Sequence, residues 1–470
     1  MVNYYSIIQA IIHKGSEVHL FKLLFLLILT PFFVVAEVHE TTLANGMRVL
    51  VKQDSRSPVV VSQVWYRAGS IDEVNGKTGI AHVLEHMMFK GTKSSKPGQF
   101  SEIIAAAGGR ENAFTGADYT CYFQQLEKSQ LPVALKMEAD RMQNLVITEK
   151  EFNKEINVVM EERRWRTDDK PTSKVNELMQ SLAFVSHPYG RPIVGWMDDL
   201  ENMNYADAQE WYDDWYAPNN AILVVAGDVI PSDVFKLAKK YFENIPSRQI
   251  KSRKPQIEAK QEGVRRASLK APSKLSYIQM GYKVPALNKD LKQDSADIYA
   301  LEVLAGILSN TSTSRLNQNI VNEAGLAVSA SASYAMLTRG GLSLLELYAT
   351  PSEGVDVLTV EKALKDEVAK IVEFGVTDEE LNRIKTGVIA SDVYQKDSVF
   401  YQGMQIGQLE TMGYPHQLMD QYTNKIKAVN SKQVQAVAKK YLIDEKLTVV
   451  TLDPQPLDPN HKPQGRPHAH

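Results

Sequence analysis

The run Gly79-Ile80-Ala81-His82-Val83-Leu84-Glu85-His86-Met87-Met88-Phe89-Lys90-Gly91-Thr92 carries two patterns at once. Ile80, Val83, Leu84, Met87 and Met88 recur at helical spacing, and Gly91 is a natural stop. The spacing predicts a helix with an apolar face turned to a core. His82 and His86 are four residues apart, so they stack on one face and can grip one metal ion. Glu85 follows His82 by three residues and projects toward the same side. Two neutral imidazoles suit zinc, and a carboxylate beside the metal can take a proton from water. The competing reading is a solvated helix face that happens to carry two His and a Glu.

A catalytic zinc needs a third protein ligand and an open position. The run Glu155-Ile156-Asn157-Val158-Val159-Met160-Glu161-Glu162 offers three acids within a charged segment of helical character, Thr148 to Arg166. Glu155 and Glu162 are seven residues apart, two helical turns, and share a face, whereas Glu161 is rotated from Glu162 by about 100°. With these residues the chain resembles the pitrilysin/insulinase metallopeptidases, whose signature is H-x-x-E-H, in the branch of the mitochondrial processing peptidase and its bacterial relatives. The resemblance implies a third zinc ligand at the separation found between His86 and Glu162, 76 residues here, and a supporting acid at Glu155. It implies a zinc-dependent endopeptidase with one zinc per chain on His82, His86 and Glu162, and with Glu85 as general base.

Outward from the motif, Asn45-Gly46 between alternating runs reads as a hairpin turn, and Val59 to Tyr66 reads as a strand. Asp118 to Gln125 alternates like a strand too, and Leu131 to Asn144 and Asp207 to Trp215 read as helices. In the resembled family the Asn112-Ala113-Phe114-Thr115 segment is a strand edge that pairs with extended peptide, which makes Asn112 and Ala113 candidate substrate-binding residues. His187 has no partner at metal spacing and reads as structural.

The second half repeats the first. Asn204 to Asp228 matches Val429 to Asp453 without gaps, with Tyr216 falling on Tyr441 and the strand Ala221-Ile222-Leu223-Val224-Val225 on Lys446-Leu447-Thr448-Val449-Val450. Val83-Leu84 falls on Val303-Leu304, so His82, Glu85 and His86 fall on Glu302, Ala305 and Gly306. The second copy keeps the apolar pattern without the ligands. By resemblance the fold class is α+β: two tandem homologous modules of mixed, largely antiparallel sheet flanked by helices, facing each other around a cavity. The zinc-bearing module spans 37–245, a polar and basic linker 246–266, and the second module 267–455. The Pro- and His-containing tail reads as disordered from Asp453 on, and 456–470 lies beyond the modules.

A net charge of −3 and a pI near 6.4 give no argument for nucleic acid, and the basic linker lacks interleaved aromatics. Cys121 is the only cysteine, which excludes an intramolecular disulfide and a cysteine zinc site. The apolar run Leu23 to Ala36 follows Lys22 and ends in small residues before Glu37; it reads as a signal peptide over 1–36, with an uncleaved anchor as the alternative. A periplasmic or secreted location is expected.

Single-chain members of the resembled family carry an Arg and a Tyr, seven residues apart, in the non-metal half. Here those positions are Val321 and Val328, with Arg315 six residues too early. The metal half thus reads as complete and the opposing half as deficient, which implies a heterodimer with a homologous sister subunit that lacks zinc ligands. Two rival readings remain: a catalytically silent scaffold or chaperone subunit, and a periplasmic zinc-binding protein suggested by His461, His468 and His470.

Overall fold

The turn at Asn45-Gly46, where Gly46 takes φ +88°, folds β1 (Val38–Thr42) back on β2 (Arg48–Gln53) as an antiparallel hairpin. The computed structural model describes residues 37–287 and 295–457. The expected leader and residues 458–470 of the expected tail lie outside them. Strands β3 (Val59–Tyr66), β4 (Arg110–Thr115), β5 (Thr120–Glu127) and β6 (Ala221–Gly227) complete a six-stranded sheet in the order β1-β2-β6-β3-β5-β4. β2 and β6 run parallel and the other neighbours antiparallel. β6 is buried along its whole length, as the apolar run of a central strand covered on both faces should be. Among the described residues β4 pairs only with β5 and forms an edge of the sheet.

The second sheet is built from β7 (Arg265–Pro272), β8 (Tyr277–Pro285), β9 (Ala327–Tyr334), β10 (Leu342–Pro351) and β11 (Leu447–Gln455), in the order β7-β11-β8-β10-β9. Position for position this repeats β2-β6-β3-β5-β4, including the parallel pair, so the duplication in sequence is a duplication in topology.

Fourteen helices clothe the described sheets. The first half supplies α1 (Ile80–Met87), α2 (Gln99–Ala106), α3 (Leu131–Asn144), α4 (Glu149–Arg163), α5 (Pro171–Ala183), α6 (Met197–Asn202), α7 (Tyr205–Trp215) and α8 (Pro231–Phe242). The second supplies α9 (Ser295–Ser309), α10 (Val357–Phe374), α11 (Asp378–Gln395), α12 (Val399–Met412), α13 (Leu418–Ala428) and α14 (Ser431–Tyr441). Each sheet packs one face on helices of its own half: Val83, Leu84, Met87, Phe152, Val159 and Trp211 join the first core, and Val303, Leu304, Leu364 and Val437 the second.

The opposite faces are covered reciprocally. Val175, Met179 and Ala183 of α5 pack on Ala271, Leu344, Val450 and Leu452 of the second sheet. Ile406 and Met404 of α12 pack on Leu50, Trp65, Cys121, Ile222 and Val224 of the first. Gly407 of α12 lies against the Trp65 ring, where a Cβ would collide with it. The two halves are therefore interlocked by an exchange of helices.

Two details differ from the sequence reading. Arg265 and Arg266 belong to β7, because they pair with Thr448 and Val449 of β11; Glu361 takes Arg266 in two hydrogen bonds at 2.8 and 2.6 Å and Glu258 lies 3.4 Å from Arg265, so their charge is paired, not linker-like. Asp453 to Gln455 continue β11 because they pair with Lys270, Ala271 and Pro272 of β7; Pro454 is tolerated past Leu452, the last residue paired with β8. Among the described residues no helix is long and apolar enough to cross a membrane.

Candidate metal centre

Helix α1, which carries His82 and His86, is fixed at its start. Gly79 caps it with φ +87°, and a Cβ there would meet the Val194 carbonyl at 2.5 Å, so only glycine lets the 194–195 loop approach. The first backbone N–H groups of a helix have no partner within it. Here the buried Glu73 carboxylate accepts from Gly79 N and Ala81 N, each at 2.9 Å, and burial pushes its pKa up to about 8. Sequence reading missed Glu73; it lies six residues before Gly79, beyond the reach of an ordinary capping pattern.

Helix α4 starts on Thr148, whose hydroxyl accepts from Glu151 N at 3.2 Å. Phe152, Ile156 and Val159 are buried, and Glu155 and Glu162, two turns apart, face the cavity. Past Arg163 the backbone widens into a π-helical turn, Arg164–Asp168, so the expected helix to Arg166 ends as α-helix at Arg163. That turn sets the Arg166 guanidinium 2.6 Å from Glu162 Oε1.

His82, His86 and Glu162 come together with one ligand atom from each, all within 4.8 Å of one another. The two imidazole rings stand at 79° with centroids 4.7 Å apart. His86 Nε2 faces Glu162 Oε2 at 3.3 Å, and its Nδ1 lies 3.0 Å from Glu155 Oε1. Glu155 also binds Lys90 at 2.7 Å. His82 Nε2 is 3.8 Å from Glu162 Oε1, beyond hydrogen-bond reach, and its buried Nδ1 has no hydrogen-bond partner. Glu85 Oε2 accepts the Thr115 hydroxyl at 2.5 Å, which ties it to the edge strand β4. Asn112 and Ala113 of that strand line the same cavity.

Burial drives His82 down to about 3 and raises Glu85. For His86 burial acts the same way, but the bonds to Glu155 and Glu162 outweigh it and lift it to about 9. Burial would raise Glu162 as well; His86, His82 and Arg166 hold it near 2. The donor set therefore fits a divalent cation. Two imidazole nitrogens and one ionised carboxylate converge, a second carboxylate holds His86 Nδ1, and His82 Nε2 turns to Glu162 without a hydrogen bond to it.

The cavity measures about 1840 Å³ and is lined by both halves. His187 is buried and accepts from Tyr189 N at 3.2 Å, away from the cluster. Arg315 does not reach the cavity: Glu380 holds it by two bonds at 2.7 and 2.8 Å, and a third goes to the Gly375 carbonyl. Val321 packs against the second core, and Val328 is 56% exposed on β9.

Residues 48–196 match the family described as Insulinase (Peptidase family M16), and residues 202–388 match the family described as Peptidase M16 inactive domain. A zinc protease, PqqE, of Helicobacter pylori is 35% identical over 352 residues, covering 74% of this chain and 78% of that protein. An uncharacterized zinc protease, YmxG, of Bacillus subtilis is 27% identical, covering 86% and 95%. The crystal structure of a protease from Helicobacter pylori superposes with a TM-score of 0.84 at 32% identity, covering 89% of this chain and 100% of that one. The periplasmic protease PqqL from Escherichia coli superposes at 0.74 with 18% identity, and the match covers 90% of this chain but 49% of the longer one.

Proposed function

Because this chain belongs to the insulinase (M16) family of peptidases, we propose that it is a zinc-dependent endopeptidase acting on peptides or unfolded polypeptide segments. The observation that carries this reading is the convergence of His82, His86 and Glu162 on one point beside Glu85. Zinc held by the three would supply Lewis acidity, lowering the pKa of water there to about 7. The chain's own residues do the rest. Glu85, oriented by Thr115, takes the proton from water as it attacks the peptide carbonyl. Glu155 holds His86 with its Nε2 lone pair turned inward. The open edge of β4, at Asn112 and Ala113, pairs with extended peptide and lays it across the site.

The test is a pair of variants of the purified protein. Glu85→Gln should keep zinc and lose about 10²–10⁴-fold in peptide hydrolysis, the usual contribution of a general base. His82→Ala should lose the metal itself. Near-normal hydrolysis by Glu85→Gln would overturn the assignment. A catalytically silent subunit is disfavoured because base and ligands are all present on one face of one cavity.

Two further features belong to the same proposal. The second half offers neither Arg nor Tyr at positions 321 and 328, and losing an oxyanion donor typically costs about 3–4 kcal/mol of transition-state stabilisation. A homologous sister subunit without zinc ligands would supply the donors; the half-length match to the E. coli protease fits such a pair. The run Leu23 to Ala36 supports export to the periplasm or beyond. Purification of the native protein checks both. It should begin near Glu37 and bring the sister chain with it; a lone chain with Met1 intact and full activity would sink both ideas.

A further inference from the structure

Thr115, the last residue of β4, bonds the Glu85 carboxylate at 2.5 Å, and the connection that follows it is gripped by the second half. A strand with a ladder on one side only has few contacts to hold its place, so what fixes its ends matters. The connection from β4 to β5, residues 116–119, is held from three directions. Within its own half, Ser70 N and Ile71 N donate to the Gly116 and Ala117 carbonyls at 3.3 and 2.9 Å. From the turn Pro188–Gly190, the Tyr189 hydroxyl donates to Asp118 Oδ1 at 2.7 Å. From the second half, the β9–β10 connection brings Arg339 N to Asp118 Oδ2 at 3.1 Å and Gly340 N to the Tyr189 hydroxyl oxygen at 2.8 Å. The Arg339 guanidinium reaches Asp72 Oδ1 at 2.6 Å, and Asp72 Oδ2 accepts from Gly69 N at 3.1 Å. Helix α12 adds Gln408 Nε2, which donates to the Tyr119 hydroxyl at 2.9 Å.

Two properties distinguish this cluster from an ordinary contact between modules. Asp118 and Asp72 are buried, and a buried carboxylate is costly unless its acceptors are filled, so the donors fix where Asp118 can lie. The approach is also close. A Cβ on Gly340 would stand 2.9 Å from the His187 and Tyr189 rings, so only glycine lets the second half come this near. Asp118 and Tyr189 line the same cavity as Glu85 and Thr115. Hydrogen bonds thus run without a break from Gly340 through Tyr189 to Asp118, three residues along the chain from Thr115.

We propose that Asp118, Tyr189 and Arg339 form a clasp by which the second half positions β4, and through Thr115 the Glu85 carboxylate. They are positioning residues, acting through β4 rather than on substrate. The proposal deepens the peptidase reading and rests on it for the role of Glu85. It gives the half without metal ligands a task within this chain, separate from any partner subunit.

Two measurements on full-length, zinc-loaded protein test it. Tyr189→Phe keeps the ring and removes the hydroxyl that joins Gly340 to Asp118; Gly340→Ala forces the second-half turn away from the rings. Hydrogen exchange read by mass spectrometry over residues 110–120 follows β4 without turnover. Either variant should speed exchange there about tenfold and leave residues 80–87 of α1 as in the parent. Hydrolysis of an internally quenched peptide reads the coupling to Glu85. Tyr189→Phe should lower kcat/KM about tenfold with zinc content unchanged, and Thr115→Val should lower it as well. Because the clasp acts through Thr115, the double variant Tyr189→Phe/Thr115→Val should fall no more than about twofold below the weaker single variant, whereas a contact that only stabilises the fold would give the product of the two losses. Unaltered exchange over 110–120, parental kcat/KM for Tyr189→Phe, or losses that multiply would each overturn the clasp. Should wild-type protein hydrolyse nothing while both variants speed exchange over 110–120, the peptidase reading fails and the hold of the second half on β4 stands.

Discussion

His86 has both ring nitrogens engaged, one by Glu162 at 3.3 Å and the other by Glu155 at 3.0 Å. The 4-residue and 7-residue spacings that make this possible are visible in the sequence, because a helix fixes which residues share a face. Lys90 is also local, on the turn after α1, yet nothing local says that it meets Glu155 at 2.7 Å. Glu155→Gln keeps the size of the side chain and removes the charge that orients His86. It should weaken zinc binding by about 10-fold or more with the fold intact, since loss of such a supporting contact typically costs 10–100-fold. Competition against a chelator of known affinity measures it. An unchanged zinc affinity would reduce Glu155 to a partner for Lys90. Arg315 teaches the converse: the right residue type six positions away in sequence is spent on Glu380.

Helices α5 and α12 decide how the elements assemble. The sequence reading anticipates neither as a helix, and the apolar residues each carries do not say which sheet they will cover. α5 crosses to the second sheet and α12 to the first. On α12, Gly403 and Gly407 are one turn apart and let the helix approach Gln63 and Trp65. Gly407→Ala places a methyl group into the Trp65 ring, and overpacking of a close contact costs about 1–3 kcal/mol. In a helix interior Ala is otherwise favoured over Gly by about 1 kcal/mol, so a net loss would isolate the clash. Urea unfolding of the two proteins reads the difference; a variant as stable as the parent would mean that α12 can shift on the sheet at no cost. The duplication had a clearer signal, since the apolar pattern around Val303-Leu304 repeats that around Val83-Leu84, and both sheets carry the same strand order.

At the scale of the molecule, the halves are joined by polar contacts of partly buried carboxylates as well as by exchanged helices. Glu410 of α12 binds Arg48 of β2 at 2.5 Å and His416 at 2.7 Å. Burial would raise its pKa, but hydrogen bonds from His416 and Arg48 outweigh burial and hold it at about 2. Glu258, in the connection between the halves, is also held at about 2: burial opposes ionisation, and Lys283 and the Ser186 and His187 N–H groups overcome it. A carboxyl depressed in the folded state adds stability above its unfolded pKa of about 4.3, and that contribution fades as pH falls toward the folded value. The protein should therefore lose stability between about pH 4.5 and pH 2, and Glu410→Gln should be weaker near neutrality with a flatter acid limb. Unfolding midpoints across that range check it; parallel acid limbs would remove Glu410 from the account. The sequence by itself determined the helix that carries His82 and His86, the face that carries Glu155 and Glu162, most strands of the first sheet and the repeat, because each follows from steric and hydrogen-bonding rules acting within a few residues. The tertiary structure alone decided the exchange of α5 and α12, the capping of α1 by Glu73 and the meeting of Asp118 with Arg339. Those depend on which surfaces exclude water together, and a one-dimensional pattern specifies that a face is apolar or charged without specifying what will cover it.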